Sequence, residues 1–292
     1  MSGQERERDS ARAWFDGRWL AADAPAIPLT DRGFLLGDGL FETVRVWRGR
    51  PFRLESHLAR LGRGADLLGM PVPRDLDSVA RAVVDANQVG EGGLRITVSR
   101  GSGPPGLSPP DPPRPAVLVT AYPYRPDPRW IRDGLSVRVG RGRVAHSGLT
   151  SGLKGLGYAE RIQAWKEARG QGADDALLRN GRGDLVGASA ANLILVTGGA
   201  IRTPSPECGA LAGITLGVVS EVAEELEMPV KRGPCPVPIL TDAQEVVLTS
   251  SLRGVVPVVA VGERPVGRGR PGAVWKLLRD GYRSRLEKET RG

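Results

Sequence analysis

Lysine is scarce in this chain. Only Lys154, Lys166, Lys231, Lys276 and Lys288 occur, so arginine carries nearly all the positive charge and any lysine chemistry has few candidates. Cysteine is scarcer still: Cys208 and Cys235 are too few for a disulfide framework. No apolar run approaches the length of a membrane span, and the charged opening MSGQERERDSARAW lacks the apolar stretch of a secretory signal. These absences make the cytoplasm the expected location and leave no membrane partner to expect. Aromatic residues make up only 5% of the chain, and the net charge of +8 comes from scattered arginines with acids between them. Without a basic stripe interleaved with aromatics, nucleic acid is not an expected partner. What remains, 40% hydrophobic and 25% charged over 292 residues, suits a soluble globular protein near the size at which one core divides into two.

The organisation along the chain follows that division. Residues 1–12 read as a disordered, charged tail. AWFDGRWLAADAPAIPL predicts a hairpin about Asp16-Gly17, and FETVRVW alternates as a strand before a second turn at Arg48-Gly49-Arg50. SHLARLGRGADLLG has helical spacing, with Ser56 as its expected cap, and DLDSVARAVVDANQVG predicts a second helix. GLRITVSRG and PAVLVTAYPY read as strands joined by a proline-rich loop. The character changes at 125–134, RPDPRWIRDG, which we read as a linker between a small domain at 13–124 and a larger one at 135–292. The second half predicts a strand at LSVRVGRGRV and a helix from about Tyr158 to Arg169. Strands follow at DALLRN, DLVG, NLILV and EVVLTSS. A helix entered through Gly213 and a final helix from Gly272 complete the reading. Both halves mix α and β without regular βαβ alternation, so the expected class is mixed α/β in two domains and not a doubly wound parallel sheet.

Lys154 is the first residue that could carry chemistry. Glycines flank it in SGLKGLGY, so another group can approach closely, and desolvation would make its amine a usable nucleophile or Schiff-base former. A solvated loop lysine fits the same segment. Gly213, Ile214 and Thr215 open a helix, where unsatisfied amides and the helix dipole favour a phosphate, although the same residues could merely start the helix. Thr249, Ser250 and Ser251 end a strand with three hydroxyls ahead of Arg253, and Arg60 could add a bidentate charge contact.

Taken in order, DRGFLLGDGLFET, FRLESHLARL, GLKGLGY, GADDALLRNGRGDLV, SAANLILV, LAGIT and VLTSSLRGVVPV resemble the class IV aminotransferases, the fold type IV pyridoxal-phosphate (PLP) enzymes. The resemblance spans roughly residues 12 to 262. It implies a two-domain fold with the cofactor in the cleft between domains, in a homodimer acting on a small-molecule amino substrate. Lys154 then corresponds to the lysine that forms the Schiff base with PLP and shuttles protons. Arg60, Ile214, Thr215 and Ser251, with Ser250 beside it, correspond to the phosphate-binding set. Tyr158 matches a tyrosine on the cofactor's phenolic oxygen. His57 is expected to be structural, and His146 is a possible neighbour of the site.

The chain departs from that pattern at Gly187, which stands where the family has a glutamate paired with the pyridine nitrogen. Losing that charge leaves the ring a weaker electron sink. Ser189 or Asp184 could take the glutamate's place. Pro105-Gly106-Leu107 replaces the lyase-like tripeptide after SRG, Gly157 replaces an asparagine and Leu216 an arginine. Among subgroups the motifs look most like the 4-amino-4-deoxychorismate lyases, with Phe41 near the substrate and Arg95, Arg100 and Arg253 as partners for its carboxylates. A transaminase of a small amino acid is the alternative, and a non-catalytic paralogue that uses the cleft for binding is the third.

Overall fold

The computed structural model describes residues 11–24, 26–144 and 150–291, so the first ten residues of the charged tail and His146 lie outside the described residues. The chain forms two compact units. One comprises Met1–Arg125, Leu153–Gly157 and Glu287–Gly292; the other comprises Pro126–Gly152 and Tyr158–Leu286. The linker drawn at 125–134 starts at this division, and four of its residues form a short helix, Arg129–Arg132. Arg12 already belongs to the first strand.

The first unit is built on six strands: β1 (Arg12–Phe15), β2 (Arg18–Ala21), β3 (Gly39–Trp47), β4 (Arg50–Pro51), β5 (Glu91–Ser99) and β6 (Ala116–Pro123), in the order β2-β1-β6-β5-β3-β4. Every pairing is antiparallel. Asp16 and Gly17 both take positive φ, 46° and 83°, which matches the twist a two-residue hairpin needs. Helices α1 (Arg32–Leu36), α2 (Leu54–Leu67) and α3 (Leu76–Ala86) complete the unit. Alternation puts Leu40, Val44, Val46, Leu94, Ile96, Val98, Val117 and Val119 on one face, where they share a core with Leu61, Ala65, Ala80 and Val83 of α2 and α3. Ser56 does not cap α2. The helix starts two residues earlier at Leu54, which is buried, with Arg53 in the left-handed region before it and no side-chain cap.

The second unit holds nine strands: β7 (Leu135–Val144), β8 (Asp175–Asn180), β9 (Leu185–Ala188), β10 (Asn192–Thr197), β11 (Ala200–Pro204), β12 (Val230–Gly233), β13 (Glu245–Ser250), β14 (Gly254–Val261) and the short β15 (Arg264–Pro265). Their order is β12-β11-β10-β13-β14-β7-β8-β9, with β15 on β14, and parallel and antiparallel pairs are mixed. The helices are α4 (the Arg129–Arg132 turn), α5 (Ala159–Gly170), α6 (Ile214–Glu225) and α7 (Ala273–Glu289), whose last residues group with the first unit. Leu135, Val137, Leu177, Leu193, Leu195, Val246 and Leu248 form the core on one face of the sheet. Among the described residues no helix is long and apolar enough to cross a membrane.

Candidate functional site

Lys154 is placed by backbone pairing. The carbonyl of Lys154 accepts from the Phe41 amide at 2.9 Å, Gly155 bridges Leu40, and the Leu156 amide donates to the Gly39 carbonyl at 3.1 Å. The lysine segment is thus one further strand-like piece on β3, inside the first unit. The Lys154 ammonium nitrogen lies 4.4 Å from the centre of the Phe41 ring, and the Arg95 guanidinium carbon lies 3.4 Å from the same centre. Phe41 pairs with Thr97 across β3 and β5, and Arg95 reaches Thr97 Oγ1 with Nε at 3.3 Å. Three of the residues expected near substrate, Phe41, Arg95 and Lys154, are therefore together, two cations against one aromatic ring.

The opposite face of β3 carries a second cluster. Glu42 stands in register with Leu40, Val44 and Val46, yet it is a carboxylate only 1% exposed. Arg60 of α2 donates to it twice, from Nε at 2.8 Å and Nη2 at 2.6 Å, and His57 Nδ1 lies 2.8 Å from Oε2. Burial opposes ionisation of Glu42, but the hydrogen bonds from Arg60 and His57 outweigh it and bring the carboxyl from 4.5 down to about 2. Burial in turn holds His57 below its ordinary value, with the Arg60 and Lys154 charges adding to the effect against the pull of Glu42. A neutral imidazole facing an ionised, acceptor-only carboxylate must carry its proton on Nδ1. The expected phosphate arginine, Arg60, is thus aimed by Glu42, which the motif reading passed over. Its signal was there: an acid on the apolar register of FETVRVW needs a buried partner.

Arg100 is elsewhere. It donates to Asp38 at 2.7 Å and to the Leu68 carbonyl at 2.9 Å, and Asp38 also takes Arg32 at 3.0 Å. Burial raises the cost of the Asp38 charge, yet these two arginines hold its carboxyl below the usual range. Arg32 goes on to grip the carbonyls of Gly106, Leu107 and Ser108, so the proline-rich loop is held from outside itself.

In the second unit, Ile214 and Thr215 form the first turn of α6, whose cap, Gly213, offers no side chain to its amides. A Cβ on Gly213 would lie 1.9 Å from Asn192 Oδ1, so Asn192 can come this close only because the residue is glycine. Asn192 also donates to the Leu211 carbonyl at 2.7 Å, fixing the loop that leads into the helix. Thr249, paired with Asn192 across β13 and β10, buries a hydroxyl that has no hydrogen-bond partner among the described residues. Uncapped amides at the start of α6 and an orphaned hydroxyl on β13 are what a phosphate group would satisfy. Ser250 Oγ accepts from the Arg253 amide at 3.4 Å, and Ser251 follows in the same turn. Tyr158 precedes α5, with Arg161 stacked over its ring at 5.5 Å.

Gly187 lies on β9 at φ 145°, and a Cβ there would come within 2.6 Å of the Ala191 carbonyl oxygen. The backbone itself excludes a glutamate unless that carbonyl moves. Ser189 does not substitute for one: its hydroxyl and amide are both turned to Asp175, a fully buried acid on β8 that also takes Arg253 Nη1 at 2.6 Å. Arg253 therefore has a carboxylate of its own and, like Arg100, a structural commitment. Asp184 sits in the turn between β8 and β9, its carbonyl accepting from the Asn180 amide. The start of α6 and the Thr249 hydroxyl have groups that fit a phosphate, and Gly187 carries no carboxylate.

The family model for amino-transferase class IV matches residues 39–261. The chain belongs to the class IV aminotransferases. It is similar to the D-alanine aminotransferase of Staphylococcus haemolyticus, 28% identical over 94% of this chain and 98% of that one. Among solved structures it resembles the 4-amino-4-deoxychorismate lyase of Pseudomonas aeruginosa, with a TM-score of 0.84 and 30% identity over 94% of this chain and 99% of the lyase. It also resembles the T.th. branched-chain amino acid aminotransferase, solved with pyridoxamine 5′-phosphate, with a TM-score of 0.87 and 26% identity over 94% and 93% of the two chains. Family and fold make this class IV member a PLP-dependent enzyme of the fold type IV architecture.

Proposed function

We propose that this class IV enzyme is a lyase of the 4-amino-4-deoxychorismate type, eliminating pyruvate from an amino substrate that carries carboxylates. The observation that carries the proposal is the sequence identity to the Pseudomonas aeruginosa lyase, 30% against 26% for the T.th. transaminase among the solved structures, while the TM-scores, 0.84 and 0.87, show that the two share the fold about equally. Bound PLP would supply a conjugated ring that accepts electron density from the carbon bearing the substrate's amine. Lys154 would hold the cofactor through its Nζ, and that amine would serve as base and acid at the reacting carbons while pyruvate leaves. Ile214, Thr215, Ser250 and Ser251 would hold the phosphate, joined by the orphaned Thr249 hydroxyl, and the family resemblance assigns Arg60 to the phosphate and Tyr158 to the phenolic oxygen. Of the three arginines weighed as partners for the substrate's carboxylates, Arg95 is the one stacked on the Phe41 ring that Lys154 also faces, while Arg100 and Arg253 lie elsewhere, beside Asp38 and Asp175. The absence of a carboxylate at Gly187 lowers the electron demand this site can meet.

The second reading, a transaminase of a small amino acid, is favoured by the D-alanine aminotransferase likeness. Incubating the PLP-loaded enzyme with aminodeoxychorismate decides between them. Pyruvate release that is lost in Lys154→Ala supports the lyase, and amino transfer from D-alanine to a keto acid without pyruvate release from aminodeoxychorismate refutes it. We further propose a homodimer, because Leu29, Phe34, Leu35 and Leu36 are all more than half exposed within one short segment of the first unit. Light scattering should give twice the chain mass, falling to the monomer in Leu35→Arg; a monomeric wild type would end that reading.

A further inference from the structure

The second unit has a pocket of about 250 Å³ whose lining includes Asp127, Trp130, Leu135, Trp165, Asp174 and Arg253. None of Asn192, Gly213, Ile214, Thr215 and Thr249 lines it. The volume is below that of pockets for drug-sized ligands, about 300–1,000 Å³, so it suits a single ring and not a nucleotide.

The hydrogen-bonding state of its walls defines the ligand. Both oxygens of Asp127 are taken by Arg129, and Asp174 is occupied by Arg169 on one oxygen and by the Ser136 amide and hydroxyl on the other. The acids are spent, and what is left over is donors. Arg253 uses Nη1 on Asp175 and rests 5.1 Å from the Trp130 ring centre, while its Nε and Nη2 make no hydrogen bond among the described residues. The indole N–H groups of Trp130 and Trp165 are likewise without an acceptor among those residues, and Trp165 is 39% exposed. Two indoles supply flat apolar walls, and an anchored guanidinium presents an unused edge.

From these observations we infer that the pocket is a second binding site, distinct from the cofactor-binding opening, for a small planar carboxylate such as a one-ring aromatic acid. The carboxylate takes the Nε/Nη2 edge of Arg253 and the ring lies against Trp165 and Trp130. Because Arg253 is the partner of Asp175, and Asp175 holds Ser189, an occupant bears on the segment that ends at Asn192. This inference stands independently of the lyase reading.

Sodium benzoate is the probe, titrated into the PLP-loaded full-length enzyme and followed by saturation-transfer NMR on the benzoate protons. The expected result is saturable binding, about tenfold weaker in Arg253→Lys, which keeps the charge beside Asp175 but not the fork, and in Trp165→Ala. Lys154→Ala should bind benzoate as the wild type does, and neutral benzyl alcohol should bind at least about tenfold more weakly. The inference is overturned by no saturable binding, by binding undiminished in both pocket variants, or by loss of binding in Lys154→Ala. Trp165 is a rim residue, so its variant remains informative if Arg253→Lys does not fold.

Discussion

Replacing Glu42 with glutamine removes one charge and almost no volume from the most deeply buried ion cluster of the first unit. Its fall from 4.5 to about 2 corresponds to about 3 kcal/mol of stability at neutral pH. The variant also leaves Arg60 without its counter-charge, and breaking a buried pair in this way costs about 3–5 kcal/mol. The sign with pH is fixed by the direction of the shift. The folded carboxyl is the stronger acid, so the unfolded chain binds the extra proton, and the contribution is complete above 4.5 and fades as pH falls toward 2. Urea unfolding should show Glu42→Gln less stable by about 3–5 kcal/mol at neutral pH, with the gap to wild type narrowing by about 1.4 kcal/mol near pH 3.5. Burial also holds His57 below its ordinary value, so the pair is repeated in a His57→Asn background, where the amide nitrogen replaces the Nδ1 donor and no imidazole titrates. A penalty below about 1 kcal/mol, too small for a buried pair, or a gap of equal size at both pH values refutes the reasoning.

Other substitutions test the remaining geometry. Gly187→Ala should lower stability by about 2–4 kcal/mol, combining an unfavourable φ with the Ala191 carbonyl contact. Gly198→Ala, at φ 55° in open space, should cost only about 1–2 kcal/mol, and equal melting temperatures for the two variants would contradict this. Asn192→Ala frees the Leu211 carbonyl and the loop before α6, so PLP affinity measured by equilibrium dialysis should fall about tenfold, the worth of one buried hydrogen bond. Arg253→Ala strands the buried Asp175 and should cost about 3–5 kcal/mol in denaturant unfolding. Arg95→Ala removes the guanidinium stacked on Phe41 and should reduce kcat/KM for the amino substrate.

The sequence was most legible where a local rule acts alone. Asp16-Gly17 made its hairpin because both residues tolerate positive φ, and Gly213 marked the start of α6 because the chain needed space there. Ser56 misled because the burial of Leu54 set the start of α2, outweighing the preference for a hydroxyl cap. Arg100 and Arg253 looked available for substrate since their acids, Asp38 and Asp175, are distant in sequence from them and the pairing appears only after folding. Glu42 was readable in principle from its place among apolar residues. At Gly187 the sequence showed the missing carboxylate, but the reason a carboxylate does not fit, the Ala191 carbonyl, belongs to the turn and not to any motif.

The strand-like piece at Leu153–Gly157 has a topological consequence. The chain passes between its two units at 125/126, 152/153, 157/158 and 286/287, so no contiguous stretch of sequence encodes the whole of either unit. A fragment ending at Arg125 would carry Phe41, Arg95 and Arg60 but leave Lys154 behind, and exchanging that fragment with a relative's would bring its ring and arginines up against a foreign lysine. Recombination, limited proteolysis or split-protein design that treats the linker as a seam would therefore divide the lysine proposed to carry the chemistry from the strand that holds it.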